Sequence, residues 1–359
     1  MLSDTLHEAT LYKALDDGTL VCQACKLYCK IRPGQIGICG VRVNREGKLF
    51  FLIYGKASAV QIDPMEKKPL FHFLPGKAVF SLGTVGCNFG CSFCQNWDLS
   101  QAARDLRKRL MKEKRERDID LELTPFGYKL PPEKIVSTCL KKSIPAIAYT
   151  YNEPAIFFEY LYDTAVLAHA QGIRNVFVSN GYESVELMEK MDGLLDAMNI
   201  DLKSFSNTFY TKICRAQLQP VLDTIRHAWA MGIWLEITTL VIPGKNDSKR
   251  ELTQIAEFIA SVSPDIPWHI SAFRPDHKMR DVSATSHRLL RKTYDIGKKA
   301  GLKHVYIGNM PDEKRTATYC TACGNTLINR WGYQIWIDPD FENGCCPHCK
   351  TKIAGIWNT

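Results

Sequence analysis

No apolar run in this chain approaches the roughly 18 residues that a membrane-spanning helix requires. Nothing in it therefore reads as a transmembrane segment. The opening stretch, from Met1-Leu2-Ser3-Asp4 to Glu8, lacks the basic start and apolar core of a secretory leader, so a cytoplasmic location is expected. Internal repeats and low-complexity tracts are also missing, which excludes a solenoid or a disordered tail as the main architecture. Cysteine is too sparse for a small disulfide scaffold, at about 4% by count against the roughly 8–10% that marks one. What remains is an ordinary globular composition, 45% hydrophobic and 23% charged over 359 residues. That is enough chain to bury a substantial core, as one large α/β domain with attachments or as two domains.

The position of the cysteines says more than their number. Twelve of the fourteen fall into three groups: Cys22, Cys25, Cys29 and Cys39; Cys87, Cys91 and Cys94; and Cys320, Cys323, Cys345, Cys346 and Cys349. In a reducing compartment, thiols at two- and three-residue spacings read as metal ligands, because adjacent thiolates can reach one ion or cluster. Cys139 and Cys214 stand alone and read as buried thiols. The net charge of +8 owes much to the stretch Arg104 to Arg117, which also holds Asp105, Glu113 and Glu116. A solvated helix or loop accounts for that stretch better than a nucleic-acid patch, and no nucleic-acid or membrane partner is expected.

Between residues 77 and 309 the chain alternates β-type runs with helical ones. Strand candidates lie at 78–86, 146–154, 174–182, 195–204, 233–243, 268–273 and 304–309, and helix candidates lie between most of them, several stopping at Gly172, Gly232 or Gly301. Repeated strand–helix units imply parallel strands with right-handed crossovers, in an open sheet or a barrel. In either, functional residues gather at the carboxyl ends of the strands. Those ends are polar here: Asn152 and Glu153, Ser179 and Asn180, Asp201 and Lys203, Thr238, Arg274, and Asn309.

The first of these strands runs into Gly86-Cys87-Asn88-Phe89-Gly90-Cys91-Ser92-Phe93-Cys94, a CxxxCxxC loop. Three thiolates can hold three irons of a cubane and leave the fourth without a protein ligand, where a ferredoxin would supply another nearby cysteine. Between Gln95 and Cys139 there is none.

On this loop, with Phe93 in the aromatic slot, the chain resembles the radical S-adenosylmethionine (SAM) superfamily over roughly residues 78 to 310. Within it the likeness extends to the glycyl-radical-enzyme activases and, more closely, to the AmmeMemoRadiSam system proteins. The stretches DPMEKKPLFHFLPG, GCNFGCSFCQNWDLSQ, YTYNEP, SNGY, NIDLKSF, EITTLVIPGKND and YIGNM carry it. The resemblance implies a partial (β/α)6 barrel, a 4Fe–4S cluster on Cys87, Cys91 and Cys94, SAM on the open iron, and a 5'-deoxyadenosyl radical that takes hydrogen from a substrate. It implies a reductant such as flavodoxin or ferredoxin. Asn152 and Glu153 resemble the SAM amino-group motif, although the usual glycines are missing. Ser179 and Asn180 resemble the ribose-binding tip, with Val178 where the activases carry aspartate. Asp201 and Lys203 match the activases' Asp-Leu-Lys, whose lysine pairs with the SAM carboxylate. Thr238 stands where an activase has arginine, and Arg274 is positioned on the next strand to take part of that role.

Two cysteine-rich segments flank the barrel, giving an expected division into 1–76, 77–315 and 316–359. Cys320-x2-Cys323 and Cys346-x2-Cys349, with WGYQIWID between them, have a zinc-ribbon layout, and Cys345 and His348 are spare. Cys22, Cys25, Cys29 and Cys39 suit zinc or an auxiliary cluster. The 63–73 run reads as a packed connector, with His72 hydrogen-bonded inside it. The substrate, whether a protein or a small molecule, is not legible, and no catalytic side chain stands out. Two rival readings are an RNA-modifying radical SAM enzyme and a noncatalytic zinc or iron–sulfur scaffold.

Overall fold

A computed structural model describes residues 6–358. The chain forms two compact units, one from residues up to Ile62 together with Phe80–Asp196, the other from Asp63–Val79 together with Ala197–Thr359. This division does not coincide with the three segments drawn by cysteine content.

In the first unit, strands β1 (Ala78–Gly83), β2 (Ala146–Tyr149) and β3 (Arg174–Ser179) are parallel, with β2 in the middle. The register sets Ile147 opposite Phe80 and Ala148 opposite Val176. All four residues of β2 are buried, which is why the strand reads as a continuous apolar run instead of an alternating one. Helices α1 (Ala102–Glu113), α2 (Pro132–Lys141) and α3 (Phe158–His169) lie in the same unit. Gly172, just past α3, takes φ +71°, the left-handed conformation that ends a helix cheaply only at glycine.

The N-terminal part of this unit is built from short antiparallel strands, with Leu20–Cys22 between Tyr12–Ala14 and Lys30–Ile31. A buried ion pair ties it to α3. Arg42 donates from Nη1 and Nη2 to the two carboxylate oxygens of Glu159, at 3.1 and 2.6 Å. Both side chains are at most 2% exposed, so the fork geometry offsets a large desolvation cost.

The second unit repeats the pattern with parallel strands β4 (Ala197–Asp201), β5 (Trp234–Val241), β6 (Trp268–Ala272) and β7 (Val305–Gly308), in that spatial order. Helices α4 (Gln219–Ala230), α5 (Lys249–Val262) and α6 (His287–Lys299) connect them. Ser248 and Ser286 cap α5 and α6 by accepting from the amides of Glu251 and Leu289. Helix α5 buries Leu252, Ile255, Ala256 and Ile259, a stripe at three- and four-residue spacing. All seven strand candidates of the sequence are strands. Each unit is thus mixed α/β, with parallel strands and crossover helices, as the strand–helix pattern of the sequence implies.

Beyond β7 the chain forms a three-stranded antiparallel ribbon, Thr318–Tyr319, Thr326–Trp331 and Gln334–Ile337. The 63–79 segment packs with it. Leu74 N donates to Ile356 O and Ile356 N to His72 O, both at 2.7 Å. Glu236 on β5 accepts from the amides of Phe71 and His72 and from His269 Nε2. His72 Nδ1 meets Ala354 O at 2.7 Å, and a carbonyl can only accept, so the proton is on Nδ1. Nε2 then accepts from Tyr306, and burial holds the ring neutral, well below the ordinary histidine pKa. His72 is thus a fully hydrogen-bonded core residue.

Candidate functional site

The CxxxCxxC loop leaves the carboxyl end of β1 through Gly86, at φ +97°. A Cβ there would lie 2.8 Å from Cys39 O, so the turn requires glycine twice over. Cys87 and Cys91 are each 8% exposed, Cys94 is half-buried, and none of the three is in a disulfide. Two groups already face their sulfurs. Phe89 N donates to Cys87 Sγ at 3.4 Å, and Ser100 Oγ lies 3.2 Å from Cys94 Sγ. Burial pushes the Cys87 thiol well above its usual range, with Glu153 adding to the shift. Three thiols outside any disulfide on one short loop fit an iron–sulfur cluster, whose irons would hold them as thiolates.

The residues expected at the tips of β2 and β3 hold the loop and one another. Asn152 Nδ2 donates to Thr84 Oγ1 at 3.0 Å and Gly86 O at 2.9 Å, while its Oδ1 accepts from Thr84 N. Glu153 is fully buried and accepts from Ala155 N, Ser179 Oγ and Asn180 N. Its pKa is raised well above the carboxylate range, first by burial and then by neighbouring Glu183. Asn180 Nδ2 donates 2.8 Å to Asn88 Oδ1, inside the cysteine loop. Glu153, Ser179, Asn180 and Asn88 thus form a chain of contacts from the tips of β2 and β3 to the residue after Cys87. Phe93 is buried, 5% exposed, as the aromatic slot expects.

In the second unit, Lys203 Nζ pairs with Asp201 at 2.6 Å and keeps 11% of its side chain exposed. Thr238 donates to Asn199 Oδ1 on the adjacent strand at 3.0 Å. Arg274 is exposed just past β6. Asp201, Lys203 and Arg274 sit at or just past the carboxyl ends of β4 and β6, whereas Thr238, expected at a strand tip, lies inside β5, which continues to Val241.

Two contributors are invisible to motif reading. Asn88 lies between two cysteines and is 1% exposed. Arg104 opens the charge-rich stretch, yet it is only 9% exposed and donates from Nη2 to Asn88 O at 2.6 Å. The helical period gave no signal, since Ala103, Leu106 and Leu110 form the apolar stripe and Arg104 stands about 100° or more round the helix from each of them. Farther along, the stretch behaves as expected, with Arg109 and Arg115 answered by Glu122, Glu113 and Asp118 at the surface.

At the other end of the chain, Cys320, Cys323, Cys346 and Cys349 place all four sulfurs within 4.8 Å of one another. Cys320 and Cys349 sulfurs are 3.5 Å apart, and those of Cys323 and Cys346 are 3.6 Å apart. A tetrahedral ion with bonds of about 2.3 Å needs an edge of about 3.8 Å, so the quartet matches a zinc-sized metal. The residue after each CxxC is left-handed, Gly324 at φ +75° and Lys350 at φ +62°. Cys345 stays outside the quartet.

The sequence model of the radical SAM superfamily matches residues 81–258, a span that opens in β1 and contains the cysteine loop. The chain belongs to the radical SAM superfamily. The uncharacterized protein MJ0808 of Methanocaldococcus jannaschii is 39% identical over 351 residues, 97% of this chain and 99% of its own length. The benzylsuccinate synthase activating enzyme of Thauera aromatica is 24% identical over 124 residues, 34% of this chain and 38% of that enzyme. Among solved structures, a domain of the pyruvate-formate lyase-activating enzyme of Bacteroides vulgatus matches with a TM-score of 0.40 at 24% identity, covering 45% of this chain and 98% of that one. As a radical SAM protein the chain is an enzyme that takes SAM and a 4Fe–4S cluster and depends on an electron donor. Among the described residues, no helix is long and apolar enough to cross a membrane.

Proposed function

We propose that Cys87, Cys91 and Cys94 hold the 4Fe–4S cluster of this radical SAM enzyme and that SAM binds at the iron they leave open. When bound, the reduced cluster supplies the electron that splits the sulfonium of SAM and yields a 5'-deoxyadenosyl radical able to take hydrogen from a substrate. The observation that carries the assignment is the loop itself: three cysteines after β1, none in a disulfide, with no fourth cysteine before Cys139. The chain's own residues position that loop. Asn152 fixes the turn at Thr84 and Gly86, and Arg104 and Asn180 fix Asn88 from two sides. Glu153 orients Ser179 and Asn180, and in this arrangement it is a positioning residue. Assignment of Asp201, Lys203, Thr238 and Arg274 to SAM rests on the resemblance of their strands to those of the activases.

For the substrate, the alignment with the benzylsuccinate synthase activating enzyme supports a protein whose backbone or side chain gives up hydrogen. A flavodoxin or ferredoxin in a reducing compartment suits both the electron requirement and the thiol groups. The test is anaerobic reconstitution with iron and sulfide, followed by dithionite and SAM. The wild-type chain is expected to release 5'-deoxyadenosine and Cys91→Ala to release none, while Cys323→Ala retains the product with a lowered melting temperature. A wild-type preparation that carries its full cluster yet makes no 5'-deoxyadenosine would sink the reading. Deuterium appearing in that product from labelled candidate proteins would identify the donor.

A further inference from the structure

The N-terminal thiols form a second site of a different kind from the C-terminal quartet. Cys22, Cys25, Cys29 and Cys39 line one small cavity of about 20 Å³, whose other walls include Ile31, Arg42, Asn88 and Ile156. Cys22, Cys25 and Cys39 are buried, Cys29 is half-buried, and none is in a disulfide. Four thiolates closing on zinc leave no room between them, since the tetrahedron edge is only about 3.8 Å, and the C-terminal sulfurs show that closure. The N-terminal thiols instead surround space.

Two of the residues that line the cavity carry a buried donor without a hydrogen-bond partner. Arg42 and Asn88 are each 1% exposed, and Arg42 Nε and Asn88 Nδ2 make no hydrogen bond in the structure. A buried donor left without a partner costs about 1–3 kcal/mol. Iron–sulfur clusters supply the missing acceptors, because their sulfurs take N–H hydrogen bonds that also tune the reduction potential. The local charge agrees: a four-thiolate cluster is anionic, Arg42 lies beside Cys22 and Cys39, and Arg107 and Arg104 lie near Cys29.

We infer that Cys22, Cys25, Cys29 and Cys39 bind a second four-iron cluster, enclosed in the first unit beside the SAM-cleaving loop. Four protein thiolates saturate all four irons, so this cluster has no open corner for SAM or substrate. It is restricted to taking up and giving back one electron, supplied by a low-potential one-electron donor of the flavodoxin or ferredoxin class. The placement suits that exchange. Asn88 lines the cavity and its Oδ1 is 3.7 Å from Cys87 Sγ, while Cys39 O packs directly on Gly86.

The test uses the full chain with the loop disabled, as the triple variant Cys87→Ala, Cys91→Ala, Cys94→Ala, reconstituted anaerobically. This preparation is expected to keep about four irons and four sulfides per chain together with about one zinc. Reduced with dithionite, it gives an electron paramagnetic resonance signal that SAM leaves unchanged, whereas the signal of the wild-type chain contains a part that SAM shifts. About two zincs with no sulfide in the triple variant would overturn the inference, and so would a residual signal that responds to SAM. In the converse variant, Cys22→Ala with Cys25→Ala, iron falls by about half and the SAM-responsive signal persists. Loss of SAM response from the wild-type chain would count against the loop assignment and leave the N-terminal cluster standing.

Discussion

At the scale of single residues, the cysteine loop is held by groups whose types give no hint of their task. Arg104 belongs by composition to a solvated basic helix, yet its guanidinium reaches Asn88 O at 2.6 Å from a buried position. A hydrogen bond from a charged donor contributes about 1.5–3 kcal/mol, more than a surface ion pair of the kind Lys108 makes with Asp105. Arg104→Gln is therefore expected to release iron to a ferrous chelator roughly tenfold faster than wild type, with unchanged far-ultraviolet circular dichroism. Lys108→Gln, one turn along the same helix, serves as the control. Equal release rates for wild type and Arg104→Gln would return Arg104 to the role of a partly covered surface charge. The three loop cysteines were legible because their spacing is itself the chemistry. Arg104 and Asn88 were not, because a buried arginine and a solvated one look alike until the tertiary partner is known.

At the scale of elements, the strands were readable because burial on both faces favours apolar runs, as in AIAY of β2, and β6 was readable although its buried run WHISA includes His269 and Ser271. The N-terminal strands were not, since pieces of two to four residues such as Lys30–Ile31 carry no period. The C-terminal ribbon was readable from its cysteines more than from its strands. Its buried core is only Cys320, Leu327, Ile328, Phe341, Cys346 and Ile353, with Ile335 and Trp357 against it. Two of the six, Cys320 and Cys346, belong to the cysteine quartet, so the apolar burial is small and the proposed metal is expected to hold the ribbon. Removing zinc with a strong chelator, or making Cys323→Ala, should open this module to limited proteolysis after residues near Trp331 and Tyr333, which are already exposed. Zinc content should fall by about one per chain while the loop cluster stays. Cleavage at the same rate with and without the metal would show that the ribbon stands on its packing.

At the scale of the whole molecule, what local pattern could not reveal is which distant segments belong together. The 63–73 run reads as a packed connector, and its partner, which local pattern could not name, is the chain's far end, as in the His72–Ala354 contact across 282 positions. That packing creates a buried group of rings in which protonation cannot be tolerated. His304 is 5% exposed, its ring 4.3 Å from that of His72, and burial, followed by Lys298 and Lys303, pushes its pKa down to about 3. The sign follows directly. An unfolded chain takes a proton on this histidine near pH 6.5 and the folded one does not, so stability is full above that pH and declines as pH falls toward 3. At pH 5.5 the loss is about 1.4 kcal/mol for His304, and His72, also held neutral by burial, adds to it. The melting temperature is thus expected to drop between pH 7.5 and 5.5 with zinc held constant. His304→Leu, which has no proton to gain, should melt lower at pH 7.5 but lose less on acidification. Parallel pH profiles for the two proteins would mean that the acid sensitivity arises elsewhere, the first place to look being the thiolates of the C-terminal quartet, whose metal competes directly with protons.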